Sequence, residues 1–219
     1  MKVTEHISVL KQKDGENIGY SESDRDGTTA SSYINDQDEI EFEVKGNSPQ
    51  GEQDTLHVGQ ILIKVLNNSG DNWSELKSGD GVADCIAYDQ NNRKKKIEIQ
   101  IIRASIDENL WKQLANIGQI NDVKVKINKI VSDIKNTIDA KGNERTIPSN
   151  YRHTITLALD ANRLSAYTLD NVVKKFREKY AKEVKSLGFK SIWIVGPREE
   201  LTHRLDLPTD KNEERIDQS

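Results

Sequence analysis

Apolar positions along the chain follow two rhythms. Ile40-Glu-Phe-Glu-Val-Lys45 alternates apolar and polar residues, the period of a strand with one wet face. Lys95-Lys-Ile-Glu-Ile-Gln-Ile-Ile102 does the same, so Ile97, Ile99 and Ile101 share one face while Glu98 and Gln100 share the other. Gly81-Val-Ala-Asp-Cys-Ile-Ala-Tyr88 is an apolar run with one carboxylate in it, and Thr154-Ile-Thr-Leu-Ala-Leu-Asp160 and Ser191-Ile-Trp-Ile-Val-Gly196 read as strands, the last apolar enough to be buried. Helical spacing takes over at Ile127, Ile130, Val131, Ile134 and Ile138, predicting a helix from Asp122 to Ala140. A second amphipathic stripe, Leu169, Val172, Val173, Phe176, Tyr180, Val184 and Leu187, predicts a helix opened by Thr168 and stopped by Gly188.

Capping and turn chemistry supply the remaining elements. Ser48-Pro49 is a favoured helix start, and Asn67-Asn-Ser-Gly70 a stop, so a helix is expected from there to about Asn67, with Glu52 on one stripe with Leu56 and Ile63. Asp107 to Asn116 reads as a short helix, and His6 to Gln12 as a short strand. Asp14 to Asp38 is rich in Gly, Ser, Asp and Asn and is expected to form loops. Strand–helix–strand units late in the chain predict an α/β fold with a mixed sheet and helices on its faces. Three regions follow: a β/loop extension over residues 1–45, an α/β core over 46–197 and a charged, loose tail over 198–219.

Composition narrows this picture. Of 219 residues, 34% are hydrophobic, 31% charged and 5% aromatic, near the lower edge for a packed globule. The formal net charge of −4 gives no general affinity for nucleic acid, so any such surface has to be a local basic patch. The single cysteine, Cys85, excludes an intramolecular disulfide and a cysteine zinc cluster, and its apolar neighbours mark it as a structural thiol. His6, His57, His153 and His203 lack metal-ligand spacing, and no Gly-rich phosphate loop or Gly-x-Ser-x-Gly motif is present. With no apolar leader and no run of membrane length, an intracellular, cytoplasmic protein with no membrane partner is expected.

The candidate chemistry lies in the hairpin formed by the two runs around Asp84 and Glu98, joined by the polar turn Asp89-Gln-Asn-Asn-Arg-Lys94. A register pairing Tyr88 with Lys94 sets Asp84 opposite Glu98, with Cβ atoms about 4.5–5.5 Å apart. Carboxylates that close repel unless a positive charge lies between them, and a divalent cation with oxygen ligands answers that need. A slip of one residue would send the acids to opposite faces.

A helix, then a hairpin with an acid on one strand and Glu98-x-Gln100 on the next, then a helix and a further strand, resembles the PD-(D/E)XK, or restriction endonuclease-like, nucleases over roughly Ser48 to Gly196. The resemblance implies a mixed central sheet flanked by helices. It also implies a site in which Asp84 and Glu98 hold Mg2+ or Mn2+, Gln100 stands where the family usually has lysine, and Glu52 matches an acid on the first core helix. The implied function is Mg2+-dependent hydrolysis of DNA in restriction or defence, with a homodimer where both strands are cut. The chain departs from the pattern in having Val82-Ala83 rather than proline before Asp84, and in Gln100, which carries no charge. Lys96 on the same strand face, or Lys112, is placed to supply one.

Plainer readings stand beside these. Glu98 and Gln100 suit the wet face of an ordinary strand, and Glu52 suits a first-turn acid favoured by the helix dipole. Glu43-Val-Lys45 is a competing Glu-x-Lys triplet, but no apolar strand bearing an acid precedes it. Arg93-Lys-Lys-Lys96 suits either a solvated turn or a phosphate contact. The alternative to an enzyme is a nucleic-acid- or protein-binding module on the nuclease scaffold, with Gln100 marking a decayed site.

Overall fold

The computed structural model describes residues 3–13, 16–25, 28–34, 39–45, 52–79, 81–104, 119–143, 145–161, 166–196 and 198–208. Strands β1 (Val3–Lys13), β2 (Glu16–Arg25), β3 (Thr28–Ile34) and β4 (Glu39–Lys45) form an antiparallel meander, and β8 (Gln119–Lys126) pairs with the free side of β4. The loops expected over 14–38 are therefore largely strand. Antiparallel neighbours satisfy the backbone donors and acceptors whatever the side chains are, so a polar, glycine-bearing sequence can still join a ladder.

A second sheet of six strands has the order β11-β10-β9-β7-β6-β5. It comprises β5 (Lys77–Ser78), β6 (Cys85–Tyr88), β7 (Lys96–Arg103), β9 (Ile155–Asp160), β10 (Ser191–Val195) and β11 (Thr202–Arg204). Strands β7, β9 and β10 are mutually parallel, while β6 runs against β7 and β11 against β10. Helix α1 (Glu52–Asn68) precedes this sheet in sequence, and α2 (Ile127–Lys141), the single turn α3 (Ser149–Arg152) and α4 (Ala166–Ser186) are interleaved with its strands. The chain is thus mixed α/β.

Two apolar clusters cover the two faces of the six-stranded sheet. Val58, Ile61 and Leu62 of α1 pack with Cys85, Ala87, Ile97, Ile99 and Ala158. The opposite cluster joins Ile130, Ile134 and Ile138 of α2 and Val172, Phe176 and Val184 of α4 to Ile86, Ile155, Leu157 and Ile192. Parity along the strands explains the split: residues paired across a sheet share a face, and each step along a strand changes face.

Three boundaries differ from the sequence expectation. The helix expected from Asp122 starts at Ile127, because Val123 and Val125 alternate with lysines and pair with Phe42 and Ile40 of β4. The helix expected from Thr168 starts at Ala166. Of the tail expected over 198–219, the first part forms a 3-10 turn, Glu199–Leu201, and edge strand β11, with Leu201 and Leu205 buried and Arg204 bound to Asp206 through Nε–Oδ1 at 2.8 Å and Nη2–Oδ2 at 3.0 Å, while residues 209–219 lie outside the described residues. The helix expected over 107–116 and the Ser48-Pro49 start lie outside the described residues.

Candidate functional site

The hairpin β6–β7 forms, but in a register two residues away from the expected one. Tyr88 pairs with Lys96, Ala87 with Ile97, Ile86 with Glu98 and Cys85 with Ile99. The turn is longer because Asp89 organises it: Oδ1 accepts the Asn91 and Asn92 N–H groups at 2.8 and 3.1 Å, and Oδ2 accepts Lys95 Nζ at 3.1 Å. Backbone bonds from Asp89 N to Lys95 O (3.0 Å) and Lys95 N to Asn92 O (2.8 Å) close it. Such an Asx turn draws Lys95 back beside Asp89 and delays β7 to Lys96. A shift of two keeps every side chain on its expected face but changes its partner. Asp84, one step before Cys85, stands level with Gln100 rather than Glu98, and Asp84 N donates to Ile99 O at 2.9 Å.

Asp84 and Gln100 are in direct contact. Gln100 Nε2 donates to Asp84 Oδ2, and the same oxygen accepts the Ile101 N–H at 2.7 Å. The amide nitrogen rather than the oxygen must face the carboxylate, since an ionised carboxylate only accepts. Both contacts fall on Oδ2, which leaves Oδ1 the more available oxygen among the described residues.

Glu98 sits one same-face step along β7, about 6.6 Å of strand from Gln100. It is buried, and its Oε1 accepts Lys96 Nζ at 2.9 Å and the Tyr151 hydroxyl at 3.1 Å. Burial is the largest single influence on Glu98 and opposes its ionisation. The Lys96 and Tyr151 hydrogen bonds, the Lys96 charge and Thr154 together outweigh it and hold the carboxyl below the usual glutamate value. Reciprocally, the bond to Glu98 raises Lys96 and Tyr151, so Lys96 stays an ammonium at neutral pH.

At the end where β6 stops and β7, β9 and β10 start, Trp73 packs on the α1 side of the sheet, held by an isolated bridge to Asp89 and by Nε1–Asp71 Oδ2 at 3.0 Å. Lys95 Nζ and Lys190 Nζ lie over its ring at 4.8 and 5.6 Å from the centroid. Lys190 is exposed as a residue, but its ammonium end is partly desolvated over the ring; that burial, with the Lys95 charge, lowers its pKa. Cys85 lies on the other side of the strand, fully buried against α1, and its thiol is pushed up to about 11 by burial and then by the Asp84 charge.

Of the residues expected at the site, Asp84, Gln100 and Glu98 share one face of one hairpin. Glu52 begins α1, which packs on the opposite face, where the Gly59 position lies beside Cys85 and Ile101; its side chain lies outside the described residues. Lys96 joins the site, and Lys112 lies outside the described residues. Tyr151 was not foreseen: it comes from a single helical turn 53 residues after Glu98, with no periodicity to mark it.

The register removes the direct opposition of Asp84 and Glu98 from which a cation was expected, and what supports one is the chemistry of the donors, since carboxylate oxygens suit a hard cation. Mg2+ commonly takes one or two carboxylates and completes its shell with water and substrate phosphate. Asp84 and Glu98 are such donors; both contacts to Asp84 fall on Oδ2, while Glu98 is engaged by Lys96, Tyr151 and Thr154. Among the described residues, no group of three or more His, Cys, Asp or Glu side chains is placed to hold an ion. No helix among them is long and apolar enough to cross a membrane. The chain matches no family model, no curated protein and no solved structure.

Proposed function

We propose that the chain is a Mg2+-dependent nuclease of the PD-(D/E)XK type acting on DNA. The observation that carries this reading is the convergence of Asp84, Gln100, Glu98 and Lys96 on one face of β6–β7. The element order supports it in part: α1, then the hairpin, then α2 and β9 running parallel to β7, with β8 of the other sheet inserted between the hairpin and α2. Asp84 and Glu98 would hold the cation, which when bound makes a water more acidic and offsets phosphate charge.

The chain's own groups then divide the work. Glu98 is held ionised by Lys96 and Tyr151, which suits a ligand and makes it a weak proton acceptor. Gln100 fixes the Asp84 carboxylate by hydrogen bonding and leaves its own carbonyl oxygen to orient a water. Lys96 supplies the positive charge that glutamine cannot. Cutting both strands of a duplex requires two such sites, hence a homodimer.

A binding module with a decayed site is favoured by one observation: Asp84 Oδ2 is already satisfied twice from within the hairpin. The two readings part in a cleavage assay on plasmid and single-stranded DNA with Mg2+ or Mn2+. For the nuclease, Asp84→Ala and Glu98→Ala are each expected to lower the rate by a hundredfold or more, as for loss of a group that stabilises the transition state. Activity that survives both substitutions removes the mechanism, and DNA binding without cleavage of any substrate selects the module.

A further inference from the structure

A groove of about 820 Å3 borders the hairpin end, lined by Glu75, Lys77, Tyr88, Asp89, Gln90 and Arg93 among others. Two of its lining residues, Lys77 and Tyr88, belong to the same sheet face as the site, while Asp89 is one step on from Tyr88 and pairs with Trp73. Lys77 pairs with Ile86 and Ile86 with Glu98, so the three form one row across β5, β6 and β7. Tyr88 and Lys96 form the next row, and directly paired side chains share a face. Through Lys77 and Tyr88 the groove shares the sheet face that carries Glu98, and Glu98 itself is not among its lining residues.

Tyr88 stands out in it. It is 37% exposed, while most large apolar side chains of the described residues are buried. Its backbone is fixed on both sides, with Tyr88 N donating to Ser74 Oγ at 3.1 Å and Ser74 N donating to Tyr88 O at 2.8 Å. A wet aromatic ring on a fixed backbone offers a flat apolar face at little cost in conformational freedom.

Charge identifies what would cover that ring. Asp89 is answered by Lys95 at 3.1 Å and Glu98 by Lys96 at 2.9 Å. Among the lining residues Lys77 and Arg93 match Glu75 and Asp89 in number, and the neighbouring Lys94 and Lys95 of the turn add two further cations. This is a local excess of positive charge on a chain whose formal net charge is −4. An aromatic platform beside cations matches an unpaired base with its flanking phosphates. Duplex DNA keeps its bases stacked on one another and offers the ring no face.

We propose that this groove binds single-stranded nucleic acid, with a base stacked on Tyr88 and the backbone phosphates on Lys77 and Arg93. The proposal rests on the nuclease reading for its link to hydrolysis, since the bound strand would be led towards Glu98, but binding itself needs no cation.

Fluorescence anisotropy of a labelled oligothymidine and of a duplex of equal length, both in EDTA at low salt, tests it. Wild type is expected to bind the single strand more tightly. Tyr88→Ala is expected to weaken that binding by about fivefold or more, as for loss of one stacked base, while Tyr88→Trp retains it. Arg93→Glu is expected to weaken it and to flatten its salt dependence. Circular dichroism establishes that each variant is folded. Equal affinity for duplex and single strand, or unchanged binding by folded Tyr88→Ala, overturns the proposal. Incubating the same oligonucleotide with Mg2+ separates the two readings. Binding that depends on Tyr88 without cleavage by wild type upholds the groove and removes the nuclease; cleavage with binding indifferent to Tyr88 removes the groove alone.

Discussion

Glu98 is a buried carboxylate kept charged by two neighbours, and that arrangement has a pH signature. Its folded pKa lies below the usual glutamate value, so its stabilising contribution is complete above the unfolded pKa of about 4.3 and is lost as pH falls through the folded value. Lys96 and Tyr151 are raised, so theirs are complete below their unfolded values of about 10 and lost as pH rises through the folded ones. Urea unfolding followed from neutral pH into the acid range is expected to show stability falling below about pH 4.3, with a shallower fall in Glu98→Gln. Tyr151→Phe is expected to cost about 1 kcal/mol near neutral pH, as for one hydrogen bond to a partly shielded charge. At this scale the sequence revealed the shared face of Glu98 and Gln100, because strand parity is a local property. It could not reveal Tyr151, which meets Glu98 only through the parallel pairing that sets Ile155 beside it.

Among the elements, the turn leading into β6 sets the position of Asp84. Gly79 N donates to Asp84 O at 2.8 Å, and Gly81 takes a φ of 83°. A Cβ on Gly79 would overlap the Ala83 carbonyl oxygen and stand 2.7 Å from its carbon, so the backbone beside Asp84 would have to move. Gly79→Ala is accordingly expected to lower stability by about 1–3 kcal/mol, read from denaturant midpoints, and on the proposed nuclease reading to weaken cleavage by displacing Asp84. The hairpin itself was legible from alternation, but its register was not. Turn chemistry fixes register, and here the Asp89 side chain captures Lys95 and lengthens the connection. Strands β1 and β4 answer the strands expected at His6–Gln12 and Ile40–Lys45, whereas β2 and β3 fall where loops are expected, for another reason. Asp14-Gly15 and Asp26-Gly27, the dipeptide most favoured between hairpin strands, separate β1 from β2 and β2 from β3, yet the polar residues around them masked that signal.

For the molecule as a whole, the extension and the core meet in β8. This strand pairs with β4 and continues without interruption into α2, with Val125 and Ile127 both in the main core. Deleting residues 1–45 would take away β4, the strand β8 pairs with among the described residues, and leave β8 unpaired yet directly joined to the helix that covers the six-stranded sheet. The truncated chain is expected to melt at lower temperature and to associate, measured by thermal denaturation and size-exclusion chromatography. The α/β class and the helix–hairpin–helix–strand order followed from periodicity and caps. The joining of β8 to the five-stranded sheet did not, because it pairs residues 39–45 with 119–126, far apart in sequence and unmarked by any local pattern.

Cys85 gives the chain a built-in clock. As the only thiol, sealed beneath α1 and back to back with Asp84 in sequence, it can meet an alkylating reagent only when the hairpin opens. The speed of that single covalent event therefore times the breathing of the strand that carries Asp84. Because the Asp84 charge is one of the two influences raising the thiol's pKa, any cation settling on that carboxylate would register on the sulfur behind it.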